Sequence, residues 1–192
     1  MNTVLLDAQR HSQSKHPDSK KNYEGNEEMM KRTNVKGMAV AAVIAALYFA
    51  LTVMPGLSAL AYGGVQFRVS EALCVLPLFT PWAIPGLTIG CVLANLMSPM
   101  PMDLIVGPTA SLLAALAMYW MRNHKLVALL FPALLNGLLV GLMLTMGTGG
   151  LGLFLYNFAG VAFGELVVLY ALGYPLTILI EKKNLARYLT SR

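Results

Sequence analysis

From Gly37 onward the chain runs as long apolar stretches separated by short breaks of Pro, Gly, Ser or basic residues. Six stretches emerge. Gly37–Met54 stops at Pro55-Gly56, Val65–Phe79 at Thr80-Pro81, and Ala83–Met97 at Ser98-Pro99. Asp103–Met121 is followed by Arg122, His124 and Lys125, Leu126–Met146 by Gly147-Thr148-Gly149-Gly150, and Leu151–Ile180 by Glu181-Lys182-Lys183. A helix crosses a hydrocarbon core of ~30 Å with about 20 residues at ~1.5 Å each. The second and third stretches are marginal by that measure. The last, at ~45 Å, must tilt, kink or protrude. Pro77, Pro81 and Pro85 mark the second and third helices as short or broken where they line a cavity.

Residues 1–36 read differently. They are rich in Ser, Lys, Asn and Glu, contain no apolar run suited to a signal peptide, and are expected to form a solvated, disordered tail. His11 and His16 have no neighbouring Cys or third His to complete a metal set.

Composition agrees with a membrane domain over residues 37–182, followed by a short polar tail, 183–192. The chain is 57% hydrophobic and 12% charged, with mean hydropathy +0.63. Between Gly37 and Ile180 the only Asp, Glu, Lys, Arg or His residues are Arg68, Glu71, Asp103, Arg122, His124, Lys125 and Glu165. A soluble domain of this size could not keep its surface wet with so few charges.

The basic residues set an orientation. With six spans, every Lys and Arg except Arg68 falls on the side of the termini, which is then cytoplasmic. The basic segment before the first span also suits anionic lipid, and nothing else in the chain argues for nucleic acid.

Several functions are excluded. Cys74 and Cys91 lie inside spans, where packing accounts for them. No metal-ligand spacing occurs, no cofactor is implied, and the sequence contains no GxxxxGK[ST] loop with which to hydrolyse nucleotide itself. Gly147-x-Gly149-x-x-Gly152 imitates a dinucleotide fingerprint but follows an apolar helix instead of a strand, so it reads as a loop. No His lies within a span and no nucleophile–base pair is evident, which argues against an enzyme.

The polar residues inside the spans are therefore informative. An ionisable group in a bilayer costs on the order of 2.5–3.5 kcal/mol on insertion scales and usually faces a cavity or a partner. Arg68 and Glu71, three apart, either neutralise each other or open a pocket. Asp103 either caps the fourth span or joins that pocket. Asn95 and Asn157 serve as interhelical glue or as ligand contacts. Glu165 has no cation in its own stretch and favours a cavity. Tyr62, Phe67, Tyr156 and Trp120 suit the interfacial belt, Trp120 best of all beside its basic loop. Small residues recur at four-residue spacing, as Gly86/Gly90, Gly137/Gly141 and Gly160/Gly164 and as the strip Ala42, Ala46, Ala50. Such spacing lets membrane helices approach closely. The glycine pairs suit packing within the bundle, and the flat alanine strip an external helix.

The runs YGGVQFRVSEAL and VLPLFTPWAIPGLTIGCVLANL resemble the QueT family, queuosine-precursor-binding S-components of energy-coupling-factor transporters. The resemblance covers about Lys36 to Lys182, and QFRVSEAL is its specific core. It implies an all-α membrane protein, a six-transmembrane-helix bundle with both termini cytoplasmic. Such a subunit binds a 7-deazapurine such as preQ1 or queuine from outside. A transmembrane T-component and two ATPase subunits would supply coupling and energy. An AxxxA strip on the first helix would dock on the T-component; Ala42 and Ala46 match it, and Ala41 and Ala45 fit the spacing equally well. The expected substrate-binding residues are Arg68, Glu71, Asn95, Asp103, Asn157 and Glu165, joined by Tyr62, Gln66 and Phe67 of the first loop. An S-component for another vitamin shares every bulk feature.

Overall fold

The computed structural model describes residues 17–61, 66–146 and 150–189. Among them regular structure is entirely helical. The helices are α1 (Pro17–Val53), α2 (Ser58–Ala61), α3 (Ala83–Asn95), α4 (Asp103–Trp120), α5 (Lys125–Ala128), α6 (Leu130–Thr145), α7 (Leu151–Val168), α8 (Tyr174–Lys182) and α9 (Ala186–Leu189). A 3₁₀ helix, Val69–Leu78, precedes α3, and a π-helical turn, Leu169–Gly173, joins α7 to α8.

Four helical segments of the described residues are long and apolar enough to cross a membrane: Asn34–Val53, Asp103–Trp120, Lys125–Thr145 and Leu151–Lys182. The second and third apolar stretches form the 3₁₀ helix and α3, each too short by itself. Pro77 is one physical reason. It has no N–H to donate and its ring opposes the carbonyl four residues back, so an ordinary α-helix would break there. A second difference lies at the N-terminus. Helix α1 begins at Pro17, well before the apolar run, so its polar first half continues the same helix. Residues 1–16 lie outside the described residues.

Helices α1, α3, α4, α6 and α7 pack each against the next in that order, and the 3₁₀ helix touches α1, α3, α4, α7, α8 and the π turn. It is thus the axis around which the row curls. Eight of its ten residues are buried, a packing that sustains a 3₁₀ run longer than the usual three or four residues.

The α1–α3 contact shows how small residues make this possible. Ala41 and Ala45 are buried, and a Cβ added to Gly86 or Gly90 would fall 2.7 or 2.9 Å from their respective carbonyl oxygens. Ala42, Ala46 and Ala50 are exposed on the other side of α1. Near the start of the apolar part of α1, Gly37 lies so close to Trp82 that a Cβ would come within 2.0 Å of its ring. The overlong last stretch adjusts through the π turn, which ends two residues before Pro175, whose missing N–H frees one helical carbonyl. Gly173 of that turn packs against Val75 of the 3₁₀ helix.

Candidate functional site

Arg68, at the N-terminal end of the 3₁₀ helix, is buried and reaches α4. Its Nη2 donates to Asp103 Oδ2 at 3.0 Å, and its Nε to the Ala61 carbonyl at 3.0 Å. Asp103 therefore anchors a guanidinium and is the first helical residue of α4, not its cap. Asn95 Nδ2 donates to the Asp103 carbonyl at 2.9 Å, which ties α3 to the same anchor.

One turn further along, Glu71 is only 1% exposed. Side chains three apart eclipse on a 3₁₀ helix, so Cys74 stands directly over Glu71 and its Sγ donates to Glu71 Oε2 at 2.8 Å. Tyr48 of α1, fully buried, donates its hydroxyl to Glu71 Oε1. The Thr52 and Ser70 hydroxyls, 2.7 Å apart, add a second link between α1 and the 3₁₀ helix. From α7, Glu165 enters the same region and accepts from Asn136 Nδ2 of α6.

Gln66, Arg68, Glu71, Asn136, Val140, Val161 and Glu165 line one small cavity of about 10 Å³. That is room for about one water, against the ~300–1,000 Å³ typical of small-molecule pockets. A guest therefore requires the lining to part. The chemistry is nonetheless distinctive. Two carboxyl groups face one enclosure, and the nearby guanidinium is already paired with a third, Asp103. Such a set complements a cation that also carries hydrogen-bond donors.

The expected residues separate accordingly. Gln66, Arg68, Glu71 and Glu165 line the cavity, and Asp103 supports it through Arg68. Asn95 belongs to the anchor, while Asn157 donates to Thr145 Oγ1 at 3.2 Å; neither lines the cavity. Phe67 packs edge-on against Phe163. Tyr62 lies outside the described residues. Two contributors escaped the sequence reading. Asn136 carried the same signal as the other asparagines, a lone amide in an apolar helix, and Tyr48 carried none beyond its hydroxyl. Two larger concavities lack comparable chemistry. A groove of about 570 Å³ between α1, the 3₁₀ helix, α8 and α9 is apolar except for Tyr188. An open pocket of about 480 Å³ beside the exposed Lys125–Glu181 ion pair shares no lining residue with the carboxylate cavity.

Among the described residues, a helical bundle with four membrane-length helices and a buried, ionisable interior is that of a multi-pass membrane protein. Residues 38–182 match the family described as QueT transporter, and the chain belongs to that family. It is also similar to a protein of Lactococcus lactis subsp. cremoris (strain MG1363) named "Queuosine precursor transporter QueT". That similarity is 43% identity over 83 residues, 43% of this chain and 49% of the relative, so the match spans about half the relative's length. No solved structure matches the chain significantly.

Proposed function

We propose that this chain is the substrate-binding membrane subunit, the S-component, of an energy-coupling-factor importer, and that it captures a cationic 7-deazaguanine such as preQ1 or queuine from outside the cell. The observation that carries this reading is the convergence of Glu71 and Glu165 on one buried cavity while Arg68 is paired with Asp103. A 7-deazaguanine offers N1–H and a 2-amino group side by side, which one carboxylate can accept together. Its 7-substituent in preQ1 and queuine is an amine, cationic at neutral pH, for which a second carboxylate is the complement. Glu165 takes the base edge in this reading and Glu71 the ammonium. Family membership and the relative's name support the same ligand class.

The reading takes six crossings with both termini cytoplasmic. Ten 3₁₀ residues at about 2 Å and residues 66–68 before them at up to about 3.3 Å together reach at most about 30 Å, a full hydrocarbon thickness. The Trp82–Gly37 contact supports this depth, because it sets the turn after the 3₁₀ helix level with the start of the apolar part of α1. A T-component and two ATPase subunits complete the transporter. The exposed face Ala42, Ala46, Ala50 suits docking, since Ala41 and Ala45 are occupied by α3. Membrane lipid covers the remaining apolar surface.

Mass spectrometry of small molecules that co-purify with the full chain, followed by calorimetric titration with preQ1 and queuine, tests the assignment. A bound 7-deazaguanine with competitive displacement is the expected result. A different vitamin-like ligand, with no heat from either deazaguanine, would overturn the substrate and leave the family intact.

A further inference from the structure

Asn136 lies midway along α6, 7% exposed, in a helix whose other cavity-facing residue is Val140. Its side-chain amide donates to Glu165 Oε1. The amide nitrogen of Asn136, not its oxygen, faces Glu165. That nitrogen carries two hydrogens, and one suffices for Glu165.

The pair therefore presents three groups side by side: two acceptors, the oxygens of Glu165, and then one donor, Nδ2 of Asn136. We propose that Asn136 is a specificity-determining residue that donates to the C6 carbonyl of the base while Glu165 accepts from N1–H and the 2-amino group. This inference rests on the deazaguanine reading of the site. The order acceptor, acceptor, donor matches the 2-amino, N1–H and O6 edge of a guanine-type base group for group. An adenine-type edge meets it badly, because its N1 lone pair would point at a carboxylate oxygen and its 6-amino group at another donor.

The same geometry favours Asn136 over the other candidates for the C6 contact. Asn95 is bonded to the Asp103 carbonyl and Asn157 to Thr145, and neither lines the cavity. Arg68 and Gln66 line it as well, and the Nη2 and Nε of Arg68 are already held by Asp103 and Ala61. Asn136 combines a position in the lining with a bond to the carboxylate that would read the neighbouring ring positions.

The test compares preQ1 with its 6-thio analogue, which keeps N1–H, the 2-amino group and the ammonium but replaces O6 with sulfur, a weak acceptor. Both are titrated calorimetrically into the full chain in lipid nanodiscs. The parent should prefer preQ1 by about tenfold, the scale of one hydrogen bond in a dry site. Asn136→Leu, close in size and suited to a membrane helix, should weaken preQ1 by about tenfold and bind the two compounds equally. If that variant does not fold, Asn136→Ala takes its place. Retention of the preference in the variant, or its absence in the parent, overturns the role of Asn136. Failure of the parent to bind either compound overturns the deazaguanine reading itself, an outcome distinct from the other two.

Discussion

Gly164 of α7 lies directly against the backbone of Gln66, so that a Cβ on Gly164 would fall 2.0 Å from the Gln66 carbonyl oxygen. Gln66 and Arg68 lie on the approach to the 3₁₀ helix, and both line the cavity that Glu165 faces from the next residue of α7. The absence of one methyl group thus sets how closely the Gln66–Arg68 segment approaches the carboxylate.

Gly164→Ala should therefore damage binding more than stability. The obstacle is backbone, which cannot rotate away as a side chain does, so the segment must lift and Arg68 and Glu71 move with it. Overpacking of this kind typically costs 1–3 kcal/mol, equivalent to about ten- to a hundredfold in affinity if it is expressed at the site. Titration of the folded variant with preQ1 measures it. Affinity equal to the parent's would mean that the segment's position is not important for binding.

Much of this site was legible from residue types alone, for a physical reason. Arg68, Glu71, Asp103 and Glu165 are ionisable groups in stretches that otherwise suit hydrocarbon, where few explanations other than a cavity or a partner exist. The structure supplies both: a partner for Arg68 in Asp103, and a cavity for Glu71 and Glu165. Neutral polar residues were less readable. Asn95, Asn136 and Asn157 stand in similar apolar surroundings, and only the arrangement of α6 against α7 selects Asn136. Tyr48 reads as an ordinary aromatic until α1 and the 3₁₀ helix are brought together. The pitch of Val69–Leu78 was hidden for another reason. Over ten residues containing Pro77, apolar periodicity cannot separate three residues per turn from 3.6, so only its length and its prolines warned that the segment was unusual.

The two alanine faces of α1 should behave in opposite ways. Ala42→Leu with Ala46→Leu adds bulk to an exposed strip, so preQ1 binding by the isolated chain should persist while uptake in cells expressing the whole transporter is blocked. Ala45→Leu adds bulk beneath Gly90 and Tyr48, so thermal stability should fall, by about 1–3 kcal/mol. Normal uptake with the first pair would show that the strip is not the docking face.

The proposed six crossings would place the exposed Pro81 in the cytoplasm. Pro81→Cys should then resist an impermeant thiol reagent in intact cells and react after permeabilisation, as should Asn123→Cys. Ser98→Cys should react without permeabilisation. Labelling of Pro81→Cys from outside would instead make the 3₁₀ helix and α3 a re-entrant hairpin between four crossings.

The division of labour between the two cavity carboxylates is tested most directly by titrating the parent, Glu71→Gln and Glu165→Gln with preQ1 and with its neutral 7-cyano counterpart. Each substitution keeps the side chain's shape and turns one acceptor into a donor. Glu165→Gln should weaken both ligands by roughly ten- to a hundredfold, since both share the base edge. Glu71→Gln should weaken preQ1 by a similar factor and leave the cyano compound nearly unchanged. If both variants bind preQ1 as tightly as the parent, the carboxylates are structural and the recognition site lies elsewhere.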